Sequence, residues 1–284
     1  MAQLSGPARP RRAAPPRDDA PSAKRSYFID SLGRGLSVID AFTPERPELT
    51  LRDLADAAGV SQPSAFRIGY TLVEMGYLVR NPVTKGYRLG PRVITAGLAT
   101  LASLVLPEIA EPYLTDLRDR TDETVKLGIP AGQQVIVAGW YPSERHPHGD
   151  HLGAALPIHA SSLGRAILAG LPDQTARALL TTATMERLTP GTMTPTQAFR
   201  DLAEIRRRGY AINDQGTTSE HRSVAAALVD PKVGAVAAIN VSVSAQRVSV
   251  ADLQRQLAPL VVATARRISA VMPPHVEGAG WLRA

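Results

Sequence analysis

Apolar residues at helical spacing mark the first structured part of the chain. Leu32, Leu36 and Ile39 recur every three or four positions, and the stretch stops at Pro44. A second helix opens at Thr50, which precedes Asp53 at capping-box spacing, with Asp in place of the usual Glu. Leu51, Leu54, Ala55 and Ala58 share one face of it, and Gly59 ends it, where a left-handed backbone suits glycine best. Ser61 is placed to cap a third helix that tolerates Pro63 in its first turn. Ala65, Ile68, Leu72 and Met75 form its apolar stripe, and Gly76 closes it. Short strands at 77–80 and 86–89 then flank Asn-Pro-Val-Thr-Lys, a turn with a basic tip. A short helix, a glycine turn, a longer helix and a hairpin predict a winged helix-turn-helix over residues 26–90. The same order of elements would also serve a three-helix packing module.

The polar positions of the third helix separate those readings. Ser61, Gln62, Ser64 and Arg67 sit on its first turns, away from the apolar stripe. In a major groove Gln pairs with adenine and Arg with guanine, while Ser reaches a phosphate or a base edge. Lys85 and Arg88 of the wing would meet phosphates. The alternative for any one of them is a solvated surface residue.

Further on, the pattern changes. Residues 91–106 read as an apolar helix and 107–120 as a second one. Strands are expected at 124–129, 135–141, 210–213, 224–229 and 233–244, with helices at 161–169, 174–181, 196–208 and 250–271. Strand blocks separated by helix blocks predict an α/β chain of the α+β kind, a sheet with helices packed at its sides. The longest apolar stretch, 93–106, has 14 residues with Thr, Ser and Gly inside it, too short to cross a bilayer.

The 284 residues suit two domains, and 44% hydrophobic content allows a sizeable core. No cysteine is present, which excludes a disulfide framework and a thiolate metal site and fits the cytoplasm. No positive start followed by an apolar run predicts a secretory leader. The net charge is +6, and residues 1–25 alone hold six Arg/Lys against two Asp. That Pro/Ala/Arg-rich tail is expected to be disordered and attracted to nucleic acid without reading it.

The strings SLGRGLSVIDAF, LTLRDLADAAGVSQPSAFR, TLVEMGYLVRN and GYRLGPRV, over residues 31–93, resemble the IclR family of bacterial regulators. LPIHASSLGRAILA, RRRGYAINDQ and AAINVSVSAQRVS resemble its effector domain, so the likeness spans roughly 26–272. The phasing around ERPELTL is most like the regulators of protocatechuate and hydroxybenzoate breakdown. Three positions depart from the family. Gly69 stands mid-helix where an aliphatic residue is usual, at about 1 kcal/mol of helix propensity. Phe66 stands where His or Tyr is common, and Tyr70 where the residue is often basic.

The resemblance implies a linker helix at 91–106 that helps dimerise the chain, a GAF-like sensor domain with an antiparallel sheet at 107–272, and a short tail at 273–284. It implies double-stranded operator DNA and a small organic acid as partners, a homodimer or dimer of dimers, no cofactor and no membrane. It also locates an effector pocket. Ser162 and Leu163 open a helix whose free amides suit a carboxylate. Asn213 and Asp214 end one strand, and His221, Arg222 and Ser223 begin another. Asn240 and Ser242 point to one face of a third, and Leu156 supplies an apolar wall. Arg222 is either a bidentate carboxylate clamp or a buried structural ion pair.

His146, His148 and His151 crowd a loop with Glu144, Arg145 and Asp150. The spacing permits a metal, but no strict ligand motif is present. The preferred expectation is a loop over the pocket, with Arg145 and His146 greeting an acidic ligand. An enzyme is the rival class, yet no G-x-S-x-G, P-loop, H-E-x-x-H or paired-carboxylate motif occurs. An architectural DNA protein is the other rival, and it would not need the second domain.

Overall fold

The computed structural model describes residues 27–43, 46–145, 150–182 and 187–273. The basic tail at 1–25 lies outside them, as do His146, His148 and nearly all of the C-terminal tail. The chain divides into two compact units, Met1–Leu98 and Ala99–Ala284. The division falls inside the segment expected to be a linker.

The first unit holds helices α1 (Asp30–Asp40), α2 (Leu51–Ala58) and α3 (Gln62–Glu74) and the antiparallel strands β1 (Leu78–Arg80) and β2 (Tyr87–Leu89). The Thr50 side chain accepts from the Asp53 amide while the Asp53 carboxylate accepts from the Thr50 amide, a complete capping box. Gly59 ends α2 at φ +61°. Leu49 exchanges both backbone bonds with Tyr87, which fastens the chain before α2 to the hairpin. Val38, Leu49, Leu54, Ala55, Ala58, Ala65, Leu78 and Tyr87 form the core.

Three expectations need correction here. Val38, not the Leu32/Leu36 row, is the residue α1 buries; Leu32 and Leu36 remain 59% and 53% exposed. Ser61 sits at the N-cap of α3 without capping it, because its hydroxyl meets that of Ser64 instead. Met75 is exposed, and its place in the buried stripe of α3 is taken by Gly69. A Cβ at Gly69 would stand 3.2 Å from the Tyr87 ring and 3.3 Å from Leu54. The glycine that looked costly in a helix therefore makes room for the tyrosine that ties the wing to the core.

Helix α4 (Pro91–Ala102) stops four residues earlier than the pattern suggested, and α5 (Val105–Thr121) follows. The second unit is a six-stranded antiparallel sheet of β3 (Thr124–Ala131), β4 (Gln134–Tyr141), β5 (Ala155–Pro157), β6 (Ala211–Asp214), β7 (His221–Asp230) and β8 (Gly234–Ser244). Its spatial order is β5-β4-β3-β8-β7-β6. Strand β5 has three residues and was not anticipated. Helices α6 (Ser162–Ala169), α7 (Asp173–Thr182) and α8 (Pro195–Arg208) pack on one face. Helices α5 and α10 (Ala258–Val271) pack on the other. The expected continuous helix over 250–271 contains a π-helical turn at Leu253–Leu257, preceded by the short α9 (Val250–Asp252). Strand alternation makes both cores: Val125, Leu127, Ile239, Val241 and Val224 face α5 and α10, and their neighbours face α6.

Arg165 in α6 is the largest fully buried side chain, with 1% of it exposed. Its guanidinium pairs with Asp201 of α8 and donates to the Ile212 carbonyl of β6. Burial lowers its pKa, and Asp201 opposes that shift. Removing one partner of a buried pair typically costs about 3–5 kcal/mol. Asp201→Ala should therefore destabilise the second unit by about that much, read as a lower denaturant midpoint with an unchanged slope. A loss under about 1 kcal/mol would mean that the Ile212 carbonyl alone satisfies the charge.

Candidate functional site

The exposed side of α3 carries Gln62, Ser64, Phe66, Arg67 and Tyr70, with Ser61 just before it. Positions 62, 66 and 70 repeat every four residues and so form one ridge, with Arg67 beside it. The Arg67 side chain has no hydrogen bond or ion pair among the described residues. Arg80 of β1, which sequence reasoning passed over, lies 5.9 Å from the Phe66 ring centre and 5.6 Å from that of Tyr87. At the wing, Lys85 adopts φ +60° and its ammonium donates to the Pro82 carbonyl at 2.7 Å. Arg88 is bound to Glu48 at 2.8 Å. The Thr84 hydroxyl, and then Arg88, hold the Glu48 carboxyl below its usual range. A Cβ at Gly86 would collide with Glu48, so glycine is needed for that carboxylate to reach the hairpin. Glu48 was also not anticipated, and it competes for the cation assigned to phosphate.

In the second unit two cross-strand rows share the α6 face of the sheet. One runs Asn213–Ser223–Ser242–Thr124, and the next runs Ala211–Ala225–Asn240–Lys126–Trp140. A cavity of about 280 Å³ opens above them. Leu156, Ser162, Asn213, His221, Ser223, Asn240 and Ser242 line it, all of them expected from the sequence. Lys126, Ser161, Thr217, Thr218 and Glu220 line it as well and were missed, while Asp150 comes from the loop expected to lie over the pocket. Lys126 had a signal: it is the single charge in Thr-Val-Lys-Leu-Gly-Ile, a strand otherwise suited to full burial.

Most of these groups are engaged. Ser162 and Ser223 share a hydroxyl bond of 2.7 Å. Asn213 donates to Thr217 and accepts from the Gly216 amide, which shapes the loop after β6. His221 Nδ1 lies 3.1 Å from the Thr218 hydroxyl. Lys126 Nζ donates to Asp150 at 2.9 Å. Asn240 differs: it is 4% exposed, and its Oδ1 has no partner among the described residues.

Three expected pocket residues fall elsewhere. The Leu163 side chain is buried in the core over Gly128. Asp214 and Arg222 are paired across β6 and β7 and face away from Asn213 and Ser223, as strand alternation requires. Arg222 also donates to the carbonyls of Ala245 and Val248, so it is the structural ion pair of the two alternatives. Arg145 pairs with Asp122 and is not in the lining. His151 packs edge-on against Trp140 at 5.0 Å between ring centres. No cluster of three metal-ligating side chains occurs among the described residues. His159, beside Arg165, is buried; desolvation and then the nearby guanidinium lower its pKa.

Known proteins carry the same two units. The family model described as "IclR helix-turn-helix domain" matches residues 31–82, and "Bacterial transcriptional regulator IclR C-terminal" matches residues 98–270. The Pca regulon regulatory protein of Pseudomonas putida is 32% identical over 272 residues, covering 92% of each chain. The crystal structure of an IclR family transcriptional regulator from Brucella abortus is 24% identical, with TM-score 0.77, over 88% of this chain and 95% of that one. An IclR homolog of Microbacterium hydrocarbonoxydans, complexed with 4-hydroxybenzoate, is 23% identical, with TM-score 0.64, over 84% and 98%.

Proposed function

The chain belongs to the IclR family and is a DNA-binding transcriptional regulator; from that premise we propose that a small carboxylate, an aromatic acid or a product of its breakdown, controls its grip on operator DNA in the cytoplasm. The acid sits in the cavity of the second unit. The observation that carries this reading is the ammonium of Lys126, a buried cation in the cavity lining that favours an anion, with the unpartnered Oδ1 of Asn240 on the neighbouring strand left for a donor of the same ligand. A buried acceptor without a donor is costly, and a ligand would satisfy it. The Pca regulon relative and the 4-hydroxybenzoate carried by the Microbacterium homolog support the choice of acid.

On DNA, Ser61, Gln62, Ser64, Phe66, Arg67 and Tyr70 face the major groove, and Lys85 and Arg88 the phosphates. Arg67 is the base reader, since it is exposed and uncommitted. One reading helix covers only a few base pairs, so two half-sites and a dimer, or a pair of dimers, are needed. Helix α4 supports this, because it buries none of its residues and exposes Ile94 and Leu98, an apolar face that a second copy would cover.

Three measurements test the reading. Arg67→Ala should keep its fold yet lose about 1–3 kcal/mol of specific operator affinity at fixed salt; unchanged specific affinity removes Arg67 from the readers. Ser223→Phe and Asn240→Leu should bind operator normally and fail to respond to the acid, and wild-type acid affinity in both would move the pocket elsewhere. Sedimentation at micromolar concentration should find no stable monomer, whereas a monomer with full operator affinity contradicts the dimer.

A further inference from the structure

We propose that Asp150 is a built-in carboxylate that holds the ammonium of Lys126 while the cavity is empty, and that an acidic ligand binds by taking its place. This rests on the ligand reading above. Lys126 has 4% of its side chain exposed, within a strand whose neighbours Thr124, Val125 and Leu127 are buried. An ammonium that deep needs a counter-charge. Among the described residues Asp150 is its ion-pair partner, at 2.9 Å, and that carboxylate is a third exposed. Residue 150 belongs to no strand. The next residue, His151, rests on Trp140, which is the cross-strand neighbour of Lys126. Residues 150 and 151 are thus held on adjacent positions of β3 and β4 by one ion pair and one ring contact.

The charges of the lining argue for exchange over simple addition. Lys126 stands against Asp150 and Glu220, so the lining already holds two carboxylates for one ammonium. A ligand carboxylate added to that set meets like charge, and two carboxylates sharing one ammonium repel. Exchange avoids the conflict. The ligand carboxylate takes the Lys126 Nζ, and Asp150 turns to water, where an ionised carboxylate is well solvated. Lys126 keeps one carboxylate partner throughout. Asn240, the other cross-strand neighbour of Lys126, then offers its unpartnered Oδ1 to a donor group of the same ligand.

The test compares the full chain with Asp150→Asn, Lys126→Met and Lys126→Arg by calorimetry, using 4-hydroxybenzoate, benzoate and succinate. Asp150→Asn keeps the size and a hydrogen-bonding oxygen but removes the competing charge. It should bind at least one of these acids roughly tenfold more tightly than the wild type, about one decade in Kd. Its melting temperature without acid should fall and recover more on adding it than the wild type's does. Lys126→Met should bind none of them, and Lys126→Arg should retain binding. If Lys126→Met does not fold, the Asp150→Asn comparison decides alone. An acid that binds the wild type and Asp150→Asn alike, or the variant more weakly, overturns the exchange and leaves the ligand reading standing. Undiminished binding by folded Lys126→Met overturns the part given to Lys126. No binding of any acid to either the wild type or Asp150→Asn overturns the exchange and the carboxylate reading together.

Discussion

The second unit is organised by a guanidinium that has nowhere to go. Arg165 is fully buried, so its charge must be met inside the protein. Asp201 meets it from α8 and the Ile212 carbonyl from β6. Those two bonds fix the roll of α6 about its axis, because a guanidinium fork accepts partners only in its own plane. Once the roll is fixed, Ser162, one turn earlier, is aimed at Ser223, and Leu163 is pressed over Gly128. Gly164 is held closer still: any Cβ there would strike the Ile158 carbonyl. The start of α6 is therefore located by the core behind it.

The sheet does the rest by parity. Each strand sends alternate residues to α5 and α10 on one side and to α6 on the other. On the α6 side, alanines at 211, 225 and 238 and the glycine at 128 let the helix approach where the rows are small. The cavity opens where the same rows turn polar, at Asn213, Ser223, Ser242, Asn240 and Lys126. A change from small to polar residues along four strands thus separates the packed part of this face from the cavity.

That pattern explains what the sequence disclosed. Asn240 and Ser242 were legible because Ile-Asn-Val-Ser-Val-Ser alternates cleanly, and the Thr50–Asp53 box and Gly59 because capping is local chemistry. Arg222 was ambiguous in sequence because its role depends on Asp214 across a strand pair. Lys126 was passed over for the converse reason. A lone lysine in an apolar strand names no partner, and only the fold brings Asp150 to it from 24 positions away. In the first unit Leu32 and Leu36 have helical spacing, but spacing does not say which face the other helices cover, and the core chose Val38. Gly69 is the sharper case. Propensity counts it as a loss, while the ring of Tyr87 needs the space.

If Lys126 is paired both before and after ligand binding, the carboxylate contributes little net affinity. One charge-assisted bond replaces another of the same kind. Its work is exclusion: a ligand without an anion leaves Asp150 on the ammonium and meets a cavity already narrowed by it. Affinity must come from the remainder of the ligand, from apolar contact with Leu156 and from a donor for Asn240 Oδ1. Response is a different matter again. A ligand shifts a two-state equilibrium only by its differential affinity for the two states, however tightly it binds either. On the proposed exchange, the release of Asp150, next to His151, is a local change that an acid brings about and a neutral isostere does not. On that proposal, recognition, affinity and signal rest on different atoms of one small cavity.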